Sequence, residues 1–194
     1  FPAGILQPPF FDPAADDAIN YGGIVAVIGH EMIHGYDDQG SKFDAHGNFH
    51  NWWTDADRSA FEARTNKLVE QFDAYESIDA IHVNGTLTLG ENIADLGGLT
   101  AAYAAMKAAQ GKDFTDPMID GLTQEQRLFY NWGTVWRRSF TDGELKVRLN
   151  TDSHAPAMFR AIGAPSNMDS FAAAFGCKAG DAMVRPEDVK VVIW

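Results

Sequence analysis

The chain has 194 residues, of which 45% are hydrophobic and 12% aromatic, which excludes a disordered polar segment and favours one globular body. A single domain of this length buries roughly 70% of the surface that its unfolded chain exposes, so a sizeable core is expected. With 27 acidic against 15 basic residues the formal charge is -12. No basic patch interrupts that acidity and no apolar run approaches a membrane span, so neither nucleic acid nor a bilayer core is an expected partner. The single cysteine, Cys177, rules out an internal disulfide and reads as a buried free thiol, with pairing to another chain as the alternative.

Taken in order, residues 1–11 contain Pro2, Pro8 and Pro9 and cannot be a helix interior. Ala3 to Leu6 forms a short edge strand at most, and the segment is expected to line a cleft. A helix follows from about Ala18 to about Gly35, with Asp16 and Asp17 supplying negative charge at its start and Gly35 a stop. Gly22 and Gly23 inside it cost roughly 1 kcal/mol each relative to alanine, which points to close packing against another element.

That helix carries His30-Glu31-Met32-Ile33-His34. A four-residue spacing places the two imidazoles one above the other on a single face, where they can share one zinc ion. Glu31 projects beside the metal and is placed to take a proton from a zinc-activated water. Five residues alone also occur on helices that never meet metal, so a third ligand has to be found.

Residues 37–53 turn polar, with a loop or tight hairpin at Phe43 to Phe49. His46, His50 and His82 read as solvated loop residues. Thr54 starts a scaffold helix whose face is Phe61, Leu68, Val69 and Phe72, and Ile78 to Thr88 reads as two short arms around an Asn84-Gly85 turn. A second helix begins near Thr88 or Leu89 and runs to about Ala109. Glu91 sits in its first turn and Asp95 one turn later, on the same face. Such a pair is usually a solvated acidic face, but Ile93, Leu96 and Leu99 make an apolar stripe beside it, and a carboxylate there calls for a partner. Glu91 would complete a His2Glu set with the fourth position open to water, and Asp95 would orient another ligand. A structural site would be closed by four protein ligands, often thiolates, and the one cysteine lies far along the chain.

Gly111 to Gly121 reads as a polar loop. Thr123 with Gln126 forms a capping box for a helix through Leu128, Phe129, Trp132, Val135 and Trp136. A short helix spans about Glu144 to Leu149, Pro156 makes a bend near His154 and Arg160, and Phe171 and Phe175 belong to a last helix before the tail.

Gly29 to Asp38 and Gly90 to Asp95 together resemble the neprilysin (M13-type) family of zinc metallopeptidases. The likeness runs from Phe1 to Trp194 through the Phe1 to Phe11 stretch, Asn51-Trp52-Trp53, Val135-Trp136 and His154-Ala155-Pro156. It implies a mainly α, thermolysin-like gluzincin catalytic domain with a little β over residues 1–194, and one Zn2+ per chain held by His30, His34 and Glu91. On that resemblance Glu31 is the general base, Asp95 and Asp37 orient the two histidines, and His154 hydrogen-bonds the oxyanion. Arg160 holds a backbone carbonyl or terminal carboxylate of the peptide. Ile5, Phe10, Val27, Val135 and Trp136 wall the pocket for the residue after the scissile bond, and Ala26 leaves room there for bulkier side chains. Many relatives have a cysteine where this chain has Val191, so a disulfide at that point is not expected.

The function so implied is an endopeptidase that cuts short peptides on the amino side of hydrophobic residues. The other reading is a catalytically weak peptide-binding module that needs a complementary chain. Family members have a large N-terminal lobe, and nothing in residues 1–194 matches it, so the expectation is a C-terminal portion partnered by that lobe. An extracellular or periplasmic setting is suggested by the resemblance alone.

Overall fold

A computed structural model describes residues 1–111 and 115–193. Trp194 and part of the expected Gly111 to Gly121 loop lie outside the described residues. The opening segment is a 3-10 turn at Ala3–Ile5 and not an edge strand, in keeping with prolines that withhold the N–H donors of a ladder.

The expected first helix is one continuous helical run made of four pieces. These are α1 (Asp17–Asn20), a π-helical stretch at Tyr21–Val25, α2 (Ala26–Ile33) and a 3-10 turn at His34–Tyr36. Asp16 caps it, its Oδ1 accepting from the Ala18 N–H at 3.1 Å. The π stretch coincides with Gly22 and Gly23. A Cβ added at Gly22 would lie 2.0 Å from the Leu128 carbonyl oxygen, and one at Gly23 would lie 2.3 Å from that of Phe10. The two glycines therefore let the N-terminal segment and a later helix rest directly on this backbone.

Thr54 caps α3 (Asp55–Asp73), and α4 (Leu89–Ala109) follows a small hairpin. In that hairpin β1 (Glu76–Ile78) pairs antiparallel with β2 (Ile81–His82). The turn lies at Asp79 and Ala80, both with positive φ, and not at Asn84-Gly85 as expected. Asn84 is engaged elsewhere: its Oδ1 accepts from the Leu87 N–H at 2.9 Å and shapes the approach to α4. The Phe43 to Phe49 hairpin forms as expected, closed by a bridge between those two residues, with Gly47 at positive φ in its turn.

The capping box at Thr123 and Gln126 opens α5 (Gln124–Val135). After α6 (Asp142–Thr151), Pro156 leads into α7 (Ala157–Gly163), which puts Arg160 on a helix instead of a bend. Last comes α8 (Asp169–Phe175), ended by Gly176 in the left-handed conformation. Cys177 follows it as a free thiol that is half-buried, not buried, because it sits beyond the helix end.

The core gathers on α4, which packs against α2, α3 and α7, with α5 side chains joining the same cluster; its most buried side chains include Leu68, Phe72, Ile93, Leu99, Leu128 and Trp132. Each such burial contributes roughly 1.5–3 kcal/mol. Val191 packs there too, with no cysteine to pair. Among the described residues no helix is long and apolar enough to cross a membrane.

Candidate metal centre

What brings the two motifs together is a close crossing of α2 and α4. A Cβ at Gly98 would stand 2.3 Å from the His30 nitrogen, and one at Gly29 would stand 2.8 Å from the Gly98 carbonyl oxygen. Bare backbone on both sides lets the helices approach until Glu91, near the start of α4, faces the histidines of the first helical run.

The ligand atoms of His30, His34 and Glu91 all lie within 4.8 Å of one another. The two Nε2 atoms are 3.1 Å apart. Glu91 Oε2 is 3.2 Å from His30 Nε2, and its Oε1 is 3.7 Å from His34 Nε2. Behind each ring stands an aspartate: His30 Nδ1 meets Asp95 Oδ1 and His34 Nδ1 meets Asp37 Oδ2, both at 2.8 Å. An ionised carboxylate only accepts, so each Nδ1 carries the hydrogen and each neutral ring turns its Nε2 lone pair inward. Two lone pairs facing each other repel unless a proton or a cation sits between them. Glu91 Oε2 is buried with His30 Nε2 and His154 Nε2 each 3.2 Å away, a carboxylate oxygen turned to where a cation would lie. Two imidazole nitrogens and one carboxylate, with room on the fourth side, suit zinc.

Burial lowers the pKa of His30, but hydrogen bonds with Asp95 and Glu91 outweigh it and raise the value to about 9. The bond to Asp37 raises His34 against its burial. Burial raises Glu91, yet interactions with His154 and His30 and the charge of Arg160 hold it well below the usual carboxylate range. Asp37 is likewise lowered: burial is outweighed by His34 and by the Gly40 and Gln39 N–H groups, which donate to Oδ1 at 2.7 and 2.8 Å.

Asp95 is buried and holds more than His30. Arg160 grips it with two parallel bonds, Nε to Oδ2 and Nη2 to Oδ1, both 2.7 Å. Burial raises the Asp95 pKa, but the charge and hydrogen bonds of Arg160 bring it below its ordinary value. The guanidinium also stacks over the Trp136 ring at 3.9 Å, a cation–π contact. Sequence reasoning missed this pairing, and two of the Arg160 donor groups are therefore already engaged.

His154 comes to the same centre from the loop before α7. Its Nε2 lies 3.2 Å from Glu91 Oε2, and its Nδ1 lies 2.8 Å from Asp152 Oδ1. Sequence reasoning missed Asp152 as well. The signal was an Asp-Ser-His turn, since the His154 N–H also donates to Asp152 Oδ1 at 2.9 Å. Arg148 in turn holds Asp152 Oδ2 through Nη1 at 2.6 Å. The interaction with Glu91 raises the His154 pKa, opposed by burial and reinforced by Asp152.

Beside the centre opens a cavity of about 490 Å³. Glu31, exposed on α2, lines it together with His154 and Arg160, and its apolar wall includes Ile5, Phe10, Val27 and Trp136. Val135 is buried and is not part of that wall; Trp132, one helical turn before Trp136, takes the position instead. Ala26 is fully buried and does not line the cavity either, because its carbonyl faces Gly98 across the helix crossing. Extra room at residue 26 therefore does not enlarge this cavity.

The family model described as Peptidase family M13 matches residues 1–191. The chain belongs to peptidase family M13. Among curated relatives, this M13 chain is 43% identical over 198 residues to Neprilysin-11 of Caenorhabditis elegans, covering 100% of the chain and 23% of that protein. It is 42% identical over 194 residues to human endothelin-converting enzyme 1, covering 98% of the chain and 25% of the relative. The fold matches the crystal structure of the Mycobacterium tuberculosis zinc metalloprotease Zmp1 in complex with an inhibitor, with TM-score 0.96 and 48% identity over the whole chain and 30% of that structure. PepO from Lactobacillus rhamnosis HN001 matches with TM-score 0.88 and 36% identity, covering the whole chain and 29% of that structure. The M13 chain thus spans about a quarter of the length of these curated relatives. Its mainly helical architecture agrees with the gluzincin-type catalytic fold expected from the sequence.

Proposed function

We propose that this M13 chain carries the active site of a zinc metalloendopeptidase that hydrolyses short peptides, with a hydrophobic residue after the scissile bond. The observation that carries the reading is the convergence of two inward Nε2 lone pairs and the Glu91 carboxylate at the edge of a cavity that Glu31 also lines. Zinc held by His30, His34 and Glu91 would supply Lewis-acid activation of water and of the scissile carbonyl.

The remaining chemistry belongs to side chains. Glu31 makes no bond to the ligand histidines, which leaves its carboxylate available to accept the water proton and to return it to the leaving amine. His154 donates from Nε2 to the developing oxyanion. Its Nδ1–H is committed to Asp152, so donation from both nitrogens requires the imidazolium, which the neighbouring Asp152 carboxylate favours. Asp95 and Asp37 keep the ligand rings in the tautomer that offers Nε2. Ile5, Phe10, Val27 and Trp136 receive the apolar side chain after the cut, and the face of Arg160 not taken by Asp95 holds the peptide backbone.

Ile28 and Met32 are exposed apolar residues one turn apart on the outer side of α2. Together with the quarter-length match, they support a complementary N-terminal lobe that lies outside this chain and completes the cleft. Zinc content and cleavage of a quenched fluorescent peptide, with and without chelator, test the activity. Cleavage that persists after complete zinc removal, or in Glu31→Gln, refutes it. Adding the lobe should raise turnover; equal rates for the isolated chain and the mixture would remove the lobe from the proposal.

A further inference from the structure

The charged side chains that line the cavity pair off, with two exceptions among the described residues. Arg160 is held by Asp95, and Arg148 by Glu144 and Asp152. Glu31 and Arg138 line the cavity without an ion pair or a side-chain hydrogen bond. Glu31 has the role given above. Arg138 has none.

The backbone shows why Arg138 reaches the cavity lining. Beyond α5 the chain runs over residues 137–141 without helix or strand, and Trp136, Arg138 and Phe140 line the cavity whereas Arg137 and Ser139 do not. That alternation is the signature of an extended segment. It sets Arg138, an exposed residue, between Trp136 and Phe140 along the wall. The chain as a whole carries a formal charge of -12, so its long-range field repels anionic peptides. An anionic group can settle in the cleft only against a local cation whose charge is not already matched.

We propose that Arg138 is a specificity-determining residue that binds a peptide carboxylate on the side of the substrate that follows the cut. This rests on the peptidase reading and adds to it a second recognition element. Trp136 and Phe140 take an apolar side chain, while the planar fork of Arg138 matches the two oxygens of a neighbouring carboxylate. The carboxylate belongs either to an acidic side chain or to the free C-terminus of a short substrate.

The test measures binding, with cleavage disabled by Glu31→Gln, on the zinc-loaded enzyme at its full natural length. Four fluorescent peptides share one core with Phe after the cut. One pair differs as C-terminal acid against amide, and the other as Glu against Gln at the second residue after the cut. Arg138 should favour the carboxylate member of at least one pair by about 2- to 5-fold, the upper range of an exposed ion pair. Arg138→Met should bring that ratio near one, Arg138→Lys should keep part of it, and Arg138→Glu should invert it in favour of the uncharged member of the pair. The pair that shows the ratio identifies the carboxylate's source. Equal zinc content and equal circular dichroism across the variants exclude misfolding. A ratio near one in both pairs with Arg138 present, or an unchanged ratio in Arg138→Met, overturns the proposal. Failure of the Glu31-containing enzyme to cleave any of the four peptides counts against the peptidase reading alone, because these ratios need no cleavage.

Discussion

Replacing Asp95 with asparagine probes the centre where its bonds are densest. The carboxylate accepts from His30 Nδ1 at 2.8 Å and Arg160 Nη2 at 2.7 Å on Oδ1, and from Arg160 Nε at 2.7 Å on Oδ2. Asparagine offers one acceptor oxygen. With that oxygen at the Oδ1 position, its NH2 group meets the Arg160 Nε–H donor against donor; flipped, it meets both His30 and Arg160 Nη2. Either way a buried guanidinium loses its counter-charge, and breaking one side of a buried pair costs about 3–5 kcal/mol. Urea denaturation of the zinc-free protein should show a loss of that size, and zinc affinity should fall roughly 10- to 100-fold as His30 loses its orienting partner. Arg160→Met should then cost less in the Asp95→Asn background than in the wild type, because the cation it removes is already unmatched. The folded pKa of Asp95 lies below its ordinary value, so its stabilisation is complete above about pH 4 and is lost as pH falls through the folded pKa. Asp95→Asn should lack that share of the acid sensitivity. A loss below about 1 kcal/mol together with unchanged zinc affinity would refute the argument.

Glu31→Gln should retain stoichiometric zinc and lose cleavage, since the side chain makes no bond to the ligand histidines; zinc analysis beside a turnover assay decides it. His154→Gln should lower kcat by on the order of 100-fold with KM little changed, and Asp152→Asn should move kcat in the same direction. Effects confined to KM would remove both from the oxyanion role. Gly98→Ala would place a Cβ 2.3 Å from the His30 backbone nitrogen. It should cost about 1–3 kcal/mol or more and weaken zinc binding, while Gly143→Ala, whose Cβ would meet nothing within 4 Å, should do neither. A Gly98→Ala protein with wild-type zinc affinity would show that the helix crossing does not set the ligand distances.

The parts of the site that sequence reasoning reached are those in which local geometry converts directly into chemistry. A four-residue spacing is one turn of helix wherever the helix lies, so His30 with His34, and Glu91 with Asp95, could be placed on common faces before any tertiary contact was known. The resemblance to a known family then joined the two stretches and brought in His154 and Arg160. The hairpin turn was misplaced for a matching reason. Asn-Gly is the pair that turn chemistry favours, whereas Asp79 and Ala80 adopt positive φ without glycine, held by the pairing on either side.

What escaped is the second partner of each residue. Arg160 and Asp95 stand 65 positions apart, and their bond exists only because α7 packs beside α4 in the fold. That bond changes what Arg160 can be. A guanidinium with Nε and Nη2 bound to a carboxylate behind His30 couples the cavity wall to the orientation of the His30 ring. Substitution at residue 160 should therefore disturb zinc retention as well as peptide affinity, although Arg160 offers no ligand atom. The same logic runs through Arg148, Asp152 and His154, where an outer arginine holds the aspartate that holds the ring. Each arginine fixes the direction of an imidazole, and the direction of the imidazole decides which nitrogen faces the centre. Helix periodicity supplies the inner residues of both chains of contact, while the outer cations follow from packing between separate elements.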